Sequence, residues 1–393
     1  MKYNFDEVIN RENTACYKYD LRKEVFGNKG VIPMWVADMD FRTPDFIIEA
    51  LRKRLGHEIL GYTFRSASFN SSVTNWLKRR HGWEVRNNWV SFSPGVVPAL
   101  NLIILALTRA GDEVIVQRPV YFPFFPAIES HGRVLVNNPL KFINGRYHID
   151  FEDLEKKLTP VTRMIMFCSP HNPTGNVWSR DDLQRLTGIC VKKNIIILSD
   201  EIHADLLLNG NRHIPTASMG TGVSDLTITC IAPSKTFNLA GLSTSVVITS
   251  NESFKKRYDQ MLEDIHVGGG NLFGFIALEA AYNNGEAWLG ALLDYIGENL
   301  KYLVKYLDEN IPEIKPVVPQ ATYMVWLDCR KLGLDDKALK NFMVNEAGLG
   351  LSDGTLFGTE GSGFQRINIG CPRKILVEAL EKLKKAVVER IRH

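Results

Sequence analysis

Short apolar runs closed by polar residues recur along this chain. Trp89–Phe92, Asp112–Gln117, residues 162–167, residues 194–198, Leu226–Ile231 and Val246–Thr249 have the length and β-branched content of buried strands. Between them the apolar positions repeat at helical spacing. Thr43 and Pro44 open one such stretch, with Thr43 as the expected N-cap and Pro44 in the first turn. Ile47, Ile48, Leu51 and Leu55 form its apolar stripe. Further helices are expected near 66–81, 151–158, 179–193, 251–264 and 272–283. Phe142–Ile149 contains Asn144-Gly145 and reads as a hairpin or edge loop. Strand alternating with helix predicts an α/β fold with a doubly wound, mostly parallel sheet. A long helix over Glu286–Asn310 then leads away from it. Strands at Ala321–Leu327 and Gln365–Ile369, with helices near 335–347 and 373–391, complete a smaller α+β unit. The expected division is an arm over 1–45 that also serves the small domain, a large domain over 46–285 and a small domain over 286–393.

Composition narrows the class. The 393 residues are 45% hydrophobic and 23% charged, as in ordinary soluble globular proteins. A net charge of +3 asks for neither nucleic acid nor an anionic membrane. Arg52–Arg54 and Lys78–Arg80 lie on expected helices and read as solvated faces. No apolar run approaches membrane-spanning length, and the N-terminus lacks a signal pattern. The six cysteines form no Cys-x-x-Cys pair, which argues against a zinc or redox motif. Cys168 and Cys230 are expected as buried core residues, and a cytoplasmic location is expected for the protein.

The candidate chemistry gathers where the apolar runs end. Ser93-Pro-Gly-Val-Val-Pro98, Ser169-Pro-His-Asn-Pro-Thr-Gly175, Ser199-Asp-Glu-Ile-His-Ala-Asp205 and Ala232-Pro-Ser-Lys-Thr-Phe-Asn-Leu-Ala-Gly241 each follow one. Open α/β sheets bind ligands beyond the carboxyl ends of their strands, so four polar strand ends suggest one crevice. Lys235, desolvated there, is a candidate Schiff-base former; alone it reads as an exposed loop lysine. The turn before Val96 and Val97 is a candidate phosphate cup at a helix N-terminus. Asp200, Glu201 and His203 can in principle hold a metal, but no other ligand cluster accompanies them, and no metal is expected. Phe122, Phe124 and Phe125 are mostly expected in a core cluster. Asp38 and Asp40 receive no chemical role.

Asn172-Pro-Thr-Gly175, Asp200-Glu-Ile-His203 and Ser234-Lys-Thr-Phe-Asn238 together resemble the fold-type I pyridoxal-phosphate (PLP) enzymes of the class I/II aminotransferase superfamily. Within it the chain is most similar to the cystathionine β-lyase branch, the MalY/PatB-type C–S lyases. The resemblance runs from Trp35–Phe41 to Arg366–Pro372. It implies a seven-stranded-type sheet, a PLP cofactor, an amino-acid substrate and a homodimer with shared active sites. It assigns Lys235 to the Schiff base and proton shuttle, and Asp200 to the pyridinium nitrogen. Asn172 and His203 would donate to the phenolate oxygen, and Tyr121 would stack on the ring. The phosphate would take the Val96 and Val97 N–H groups, Ser234, and Tyr62 of the neighbouring subunit. Arg366 would hold the substrate carboxylate, and Tyr62 would also contact the substrate. The chain departs from the common aminotransferase pattern at Ala232 and Ser243, where a serine and an arginine often stand. The implied reaction is α,β-elimination to pyruvate, ammonia and a thiol. An aminotransferase built from the same residues and a PLP-binding regulatory protein remain as alternatives.

Overall fold

The computed structural model describes residues 3–392. A seven-stranded sheet runs in the order Val90–Ser93, Ser245–Ile248, Thr227–Ile231, Ile196–Asp200, Thr162–Cys168, Glu113–Val116, Val134–Asn137. Ser245–Ile248 is antiparallel to both neighbours, and every other pairing is parallel. Alternate residues of one strand serve opposite faces. Met164, Met166 and Cys168 pack with helix Val96–Leu107 and with Tyr258 and Leu262 of helix Glu252–Asp264. Ile165 and Phe167 pack on the other face, with Leu154, Leu183 and Leu186 from helices Phe151–Lys157 and Arg180–Lys193. Two covered faces explain why these strands read as continuous apolar runs.

A smaller antiparallel sheet follows the order Lys315–Val317, Met324–Asp328, Phe364–Asn368, Ser352–Asp353. Helices Glu286–Asn310 and Arg373–Arg392 share its apolar core through Leu292, Leu300, Leu376 and Leu380. The N-terminal arm is stitched to this part, because Ile32–Pro33 pairs in parallel with Leu349–Gly350. Arg11 and Lys18 pin the next stretch through the carboxylates of Asp38 and Asp40.

Several expectations are corrected. Pro44, not Thr43, occupies the N-cap, and the helix spans Asp45–Leu55. Its stripe stops early, since Leu55 is 51% exposed. The strand expected from Ala321 starts at Met324, because Thr322 takes a positive φ of 74° that breaks the extended run. The segment 335–347 is an α-helix only over Asp336–Asn341 and continues as a wider π turn over Phe342–Glu346. Phe124 is fully buried, but Phe122 stands 40% exposed. Strand Val134–Asn137 was not anticipated. It is an edge strand with no fully buried residue, although Val134-Leu-Val136 is a short apolar run. Among the described residues no helix is long and apolar enough to cross a membrane, and no His, Cys, Asp and Glu cluster can hold a metal ion.

Candidate active site

Parallel pairing sets Asp200 beside both Cys168 and Cys230. The three chains therefore leave the sheet side by side, and their polar continuations meet at one edge. There they line a cavity of ≈ 210 Å³. Its walls include Val96, Val97, Tyr121, Asn172, Asp200, His203, Ser234 and Lys235. Eight of the ten residues singled out in the sequence are thus brought together.

Lys235 lies in a short helical turn, Pro233–Thr236, directly after strand Thr227–Ile231. Its Nζ donates to the Ala37 carbonyl at 2.7 Å. Burial pushes its ammonium down to about 8; Asp38 and Asp200 oppose this and Arg366 adds to it. Asp200 is buried and accepts one hydrogen bond, from the Ile202 N–H at 3.2 Å. Burial pushes its carboxyl up to about 7, despite the Ile202 N–H and the Lys235 charge. His203 is buried and its Nδ1 has no partner. Burial, with the Lys235 and Arg366 charges, pushes it down to about 3, so it is neutral across the physiological range. Burial holds Tyr121 up at about 12, so its hydroxyl stays protonated.

Arg366 sits behind this cavity on strand Phe364–Asn368. It donates through Nη1 to Asn172 Oδ1 at 2.9 Å, and through Nη2 to the Trp35 carbonyl at 2.8 Å and Ser352 Oγ at 3.2 Å. Its Nε is buried without a partner, and its guanidinium lies 4.8 Å from the Phe357 ring centroid. Burial lowers its pKa to about 10, which leaves it cationic at neutral pH. A planar cation with one unused buried N–H suits a carboxylate that accepts from two of its donors.

At the opposite end, helix Val96–Leu107 begins without a side-chain cap, so its first N–H groups are free for an anion. Close approach is possible because residue 95 is glycine; a Cβ there would lie 3.2 Å from Pro98 Cδ. Ser234 is near, and Ser243 and Thr244 complete the wall. Among the described residues no arginine or lysine other than Lys235 lines the cavity. The donor set fits a phosphate held by N–H and O–H groups.

Tyr62 is the exception among the expected residues. It is fully exposed, as are much of Leu60 and Phe64. It borders a second cavity that shares Pro94 and Ser243 with the first and is also lined by Gly269–Leu272. Sequence reasoning missed several contacts around Trp35–Met39. Asn238 accepts from the Met39 N–H and donates to its carbonyl, Asn368 donates to the carbonyls of Val36 and Asp38, and Tyr323 donates to that of Ala37. Asn238 carried the one available signal, as the last residue of the lysine motif.

Fold and cleft together define an α/β enzyme with a buried lysine and acid in one crevice and an arginine bonded to its wall through Asn172, and similarity to known proteins agrees. Residues 29–383 match the model of the aminotransferase class I and II family, and the chain belongs to that family. It is 43% identical to cystathionine beta-lyase PatB of Bacillus subtilis (strain 168), over 98% of this chain and 100% of that one. Among solved structures it is similar to cystalysin from Treponema denticola, which contains PLP, with a TM-score of 0.96 and 37% identity over 99% of this chain and 100% of that one. It is likewise similar to the PLP-bound C-S lyase from Staphylococcus hominis, with a TM-score of 0.92 and 35% identity over 98% of each chain.

Proposed function

We propose that this protein is a PLP-dependent carbon–sulfur β-lyase acting on cystathionine or a related sulfur amino acid. The observation that carries the reading is the convergence of Lys235, Asp200, His203 and Asn172 on one cavity with an uncapped helix N-terminus at its end. The orphaned His203 Nδ1 and Arg366 Nε are buried polar atoms that a bound cofactor and substrate would satisfy. Bound there, PLP supplies an electron sink that allows a proton to leave Cα of an amino acid.

The chain's residues do the rest. The Val96 and Val97 N–H groups and Ser234 hold the phosphate. Asp200 holds a proton on the ring nitrogen; a carboxylate destabilised by burial gains strongly from a cationic partner. Neutral His203 and Asn172 would donate to the ring oxygen of bound PLP, and Tyr121 would offer an aromatic partner to the ring. Arg366 takes the substrate carboxylate. Lys235, with its pKa near 8, has enough free amine to accept the Cα proton. In sum, cystathionine and water give homocysteine, pyruvate and ammonia.

The reading includes a homodimer. Tyr62 is fully exposed and lines a cavity of ≈ 860 Å³ that shares Pro94 and Ser243 with the cleft, as a residue serving a second copy would. Sedimentation of the active enzyme as a dimer is expected, and an active monomer would remove the role of Tyr62. The reading also includes a cytoplasmic setting, which suits six free cysteines, and a boundary between large and small domains near Glu286.

The test is incubation of PLP-loaded protein with L-cystathionine and no keto acid. Catalytic release of pyruvate and free thiol is expected. Absence of both, with amino transfer from cofactor-bound amino acids to a keto acid, would make the protein an aminotransferase instead.

A further inference from the structure

The segment Trp35–Met39 lies between the lysine loop and the small sheet, and all five of its carbonyls accept hydrogen bonds. Trp35 O accepts from Arg366 and Ser352. Val36 O and Asp38 O accept from Asn368 at 2.7 and 2.6 Å. Ala37 O accepts from Lys235 Nζ at 2.7 Å and from Tyr323 OH at 3.0 Å. Met39 O accepts from Asn238 at 2.8 Å and from Arg11 at 3.2 Å. A carbonyl offers two lone pairs, and both at Ala37 are engaged. One donor, Tyr323, is fully buried. Burial raises its pKa, so the hydroxyl keeps its proton and always donates. The other donor is the catalytic lysine, whose amine must leave the cofactor whenever a substrate amine takes its place.

We propose that Tyr323 is a positioning residue for Lys235, acting through the Ala37 carbonyl that both side chains share. The proposal rests on the PLP reading of the cleft. A freed amine has two N–H groups and one lone pair. Giving one N–H to a fixed acceptor restricts where the lone pair can point. Tyr323 fixes that acceptor from one side, and the clamps on Val36, Asp38 and Met39 fix the backbone that carries it. An amine held this way stays poised both to collect the Cα proton and to reform its linkage to the cofactor aldehyde. Misplacement by a fraction of an ångström is enough to slow such transfers by about tenfold. The same segment binds Arg366 two residues earlier, so substrate and lysine are positioned by one piece of backbone.

The test compares wild type with Tyr323→Phe, which removes one hydroxyl while Lys235 still satisfies Ala37 O. Three readouts are needed. Binding of pyridoxine 5′-phosphate, which has no aldehyde, reports cleft integrity and is expected to change less than twofold. The rate at which PLP-free protein develops the visible absorbance of lysine-linked PLP is expected to fall about tenfold. Exchange of the Cα hydrogen of L-alanine in D2O is expected to slow about tenfold with little change in its concentration dependence. Alanine has no leaving group, so this exchange reads Lys235 in a lyase and in an aminotransferase alike. Failure of the lyase reading would appear separately, as a wild type that makes no pyruvate from cystathionine. Asn238→Ala loosens the same segment from its other end and is the second variant, expected to give the same pattern at about threefold. Linkage and exchange at wild-type rates in a folded variant would overturn the proposal. So would losses matched by an equal loss of pyridoxine 5′-phosphate affinity, which would make Tyr323 merely structural.

Discussion

Asp200 and Glu201 are adjacent, equally buried, and opposite in character. Asp200 faces the cleft and has a single N–H for company. Burial therefore prevails, and its carboxyl rises to about 7. Glu201 faces the far side of the strand end. It accepts from His213 at 2.7 Å, Ser199 at 2.8 Å and the Thr216 N–H at 2.9 Å. Burial also works to raise Glu201, but these partners outweigh it and its pKa is lowered. Asp205, four residues on from Glu201, belongs to the same satisfied region. It is met by Trp76, His81 and Thr236, and its pKa is lowered too. The carboxylates of Glu201 and Asp205 are thus fully partnered and serve the fold. The polar groups in front are left short of partners, which is stability withheld for a ligand to complete.

The contrast can be broken at Lys235 with the largest effect. Lys235→Ala should lower pyruvate release by about 10³-fold or more while the protein stays folded. Next comes Asp200→Asn, which should move activity and stability in opposite directions. Activity should fall by about 10²-fold, because nothing then holds the ring nitrogen's proton. The PLP-free protein should become more stable at pH 8 by about 1–3 kcal/mol, because a buried charge is gone. The sign follows from a folded pKa raised to about 7 above an unfolded value near 4. The ionised carboxylate disfavours folding, so the cost grows as pH rises between those values. Urea unfolding at pH 8 and pH 5.5 should show the gain shrinking at the lower pH.

Behind the cleft the pattern should invert. His213→Ala leaves buried Glu201 without its shortest hydrogen-bond partner and should cost about 3 kcal/mol of stability in urea unfolding. Activity of the folded fraction should stay within a few-fold of wild type. A smaller effect sharpens the comparison from the other side. In PLP-free protein the rate of lysine linkage to added PLP should climb with pH and level off just above about 8, the depressed value of Lys235. An unburied lysine would keep climbing toward about 10.

Much of the cleft was legible because its residues stand immediately after apolar runs. Asp200, Asn172 and Lys235 each end or follow such a strand, and parallel pairing then sets them side by side. Helix Glu286–Asn310 was legible because its apolar period runs unbroken. Val134–Asn137 was not anticipated, because its apolar run, Val134-Leu-Val136, is only three residues long and sits at the sheet edge. Tyr323 and the Ala37 carbonyl were invisible for another reason. A backbone carbonyl has no letter in the sequence, and Tyr323 reads as one more core aromatic. Asp38 and Asp40 looked like idle acids because Arg11 and Lys18, their partners, lie far off in an irregular arm.

The central claim is that this cleft carries PLP on Lys235. Reduction of PLP-loaded protein with borohydride, followed by peptide mapping, tests it directly. The account predicts a phosphopyridoxyl group on the peptide containing Lys235 and on no other lysine. A label elsewhere, or none on a protein that turns over cystathionine, would contradict it.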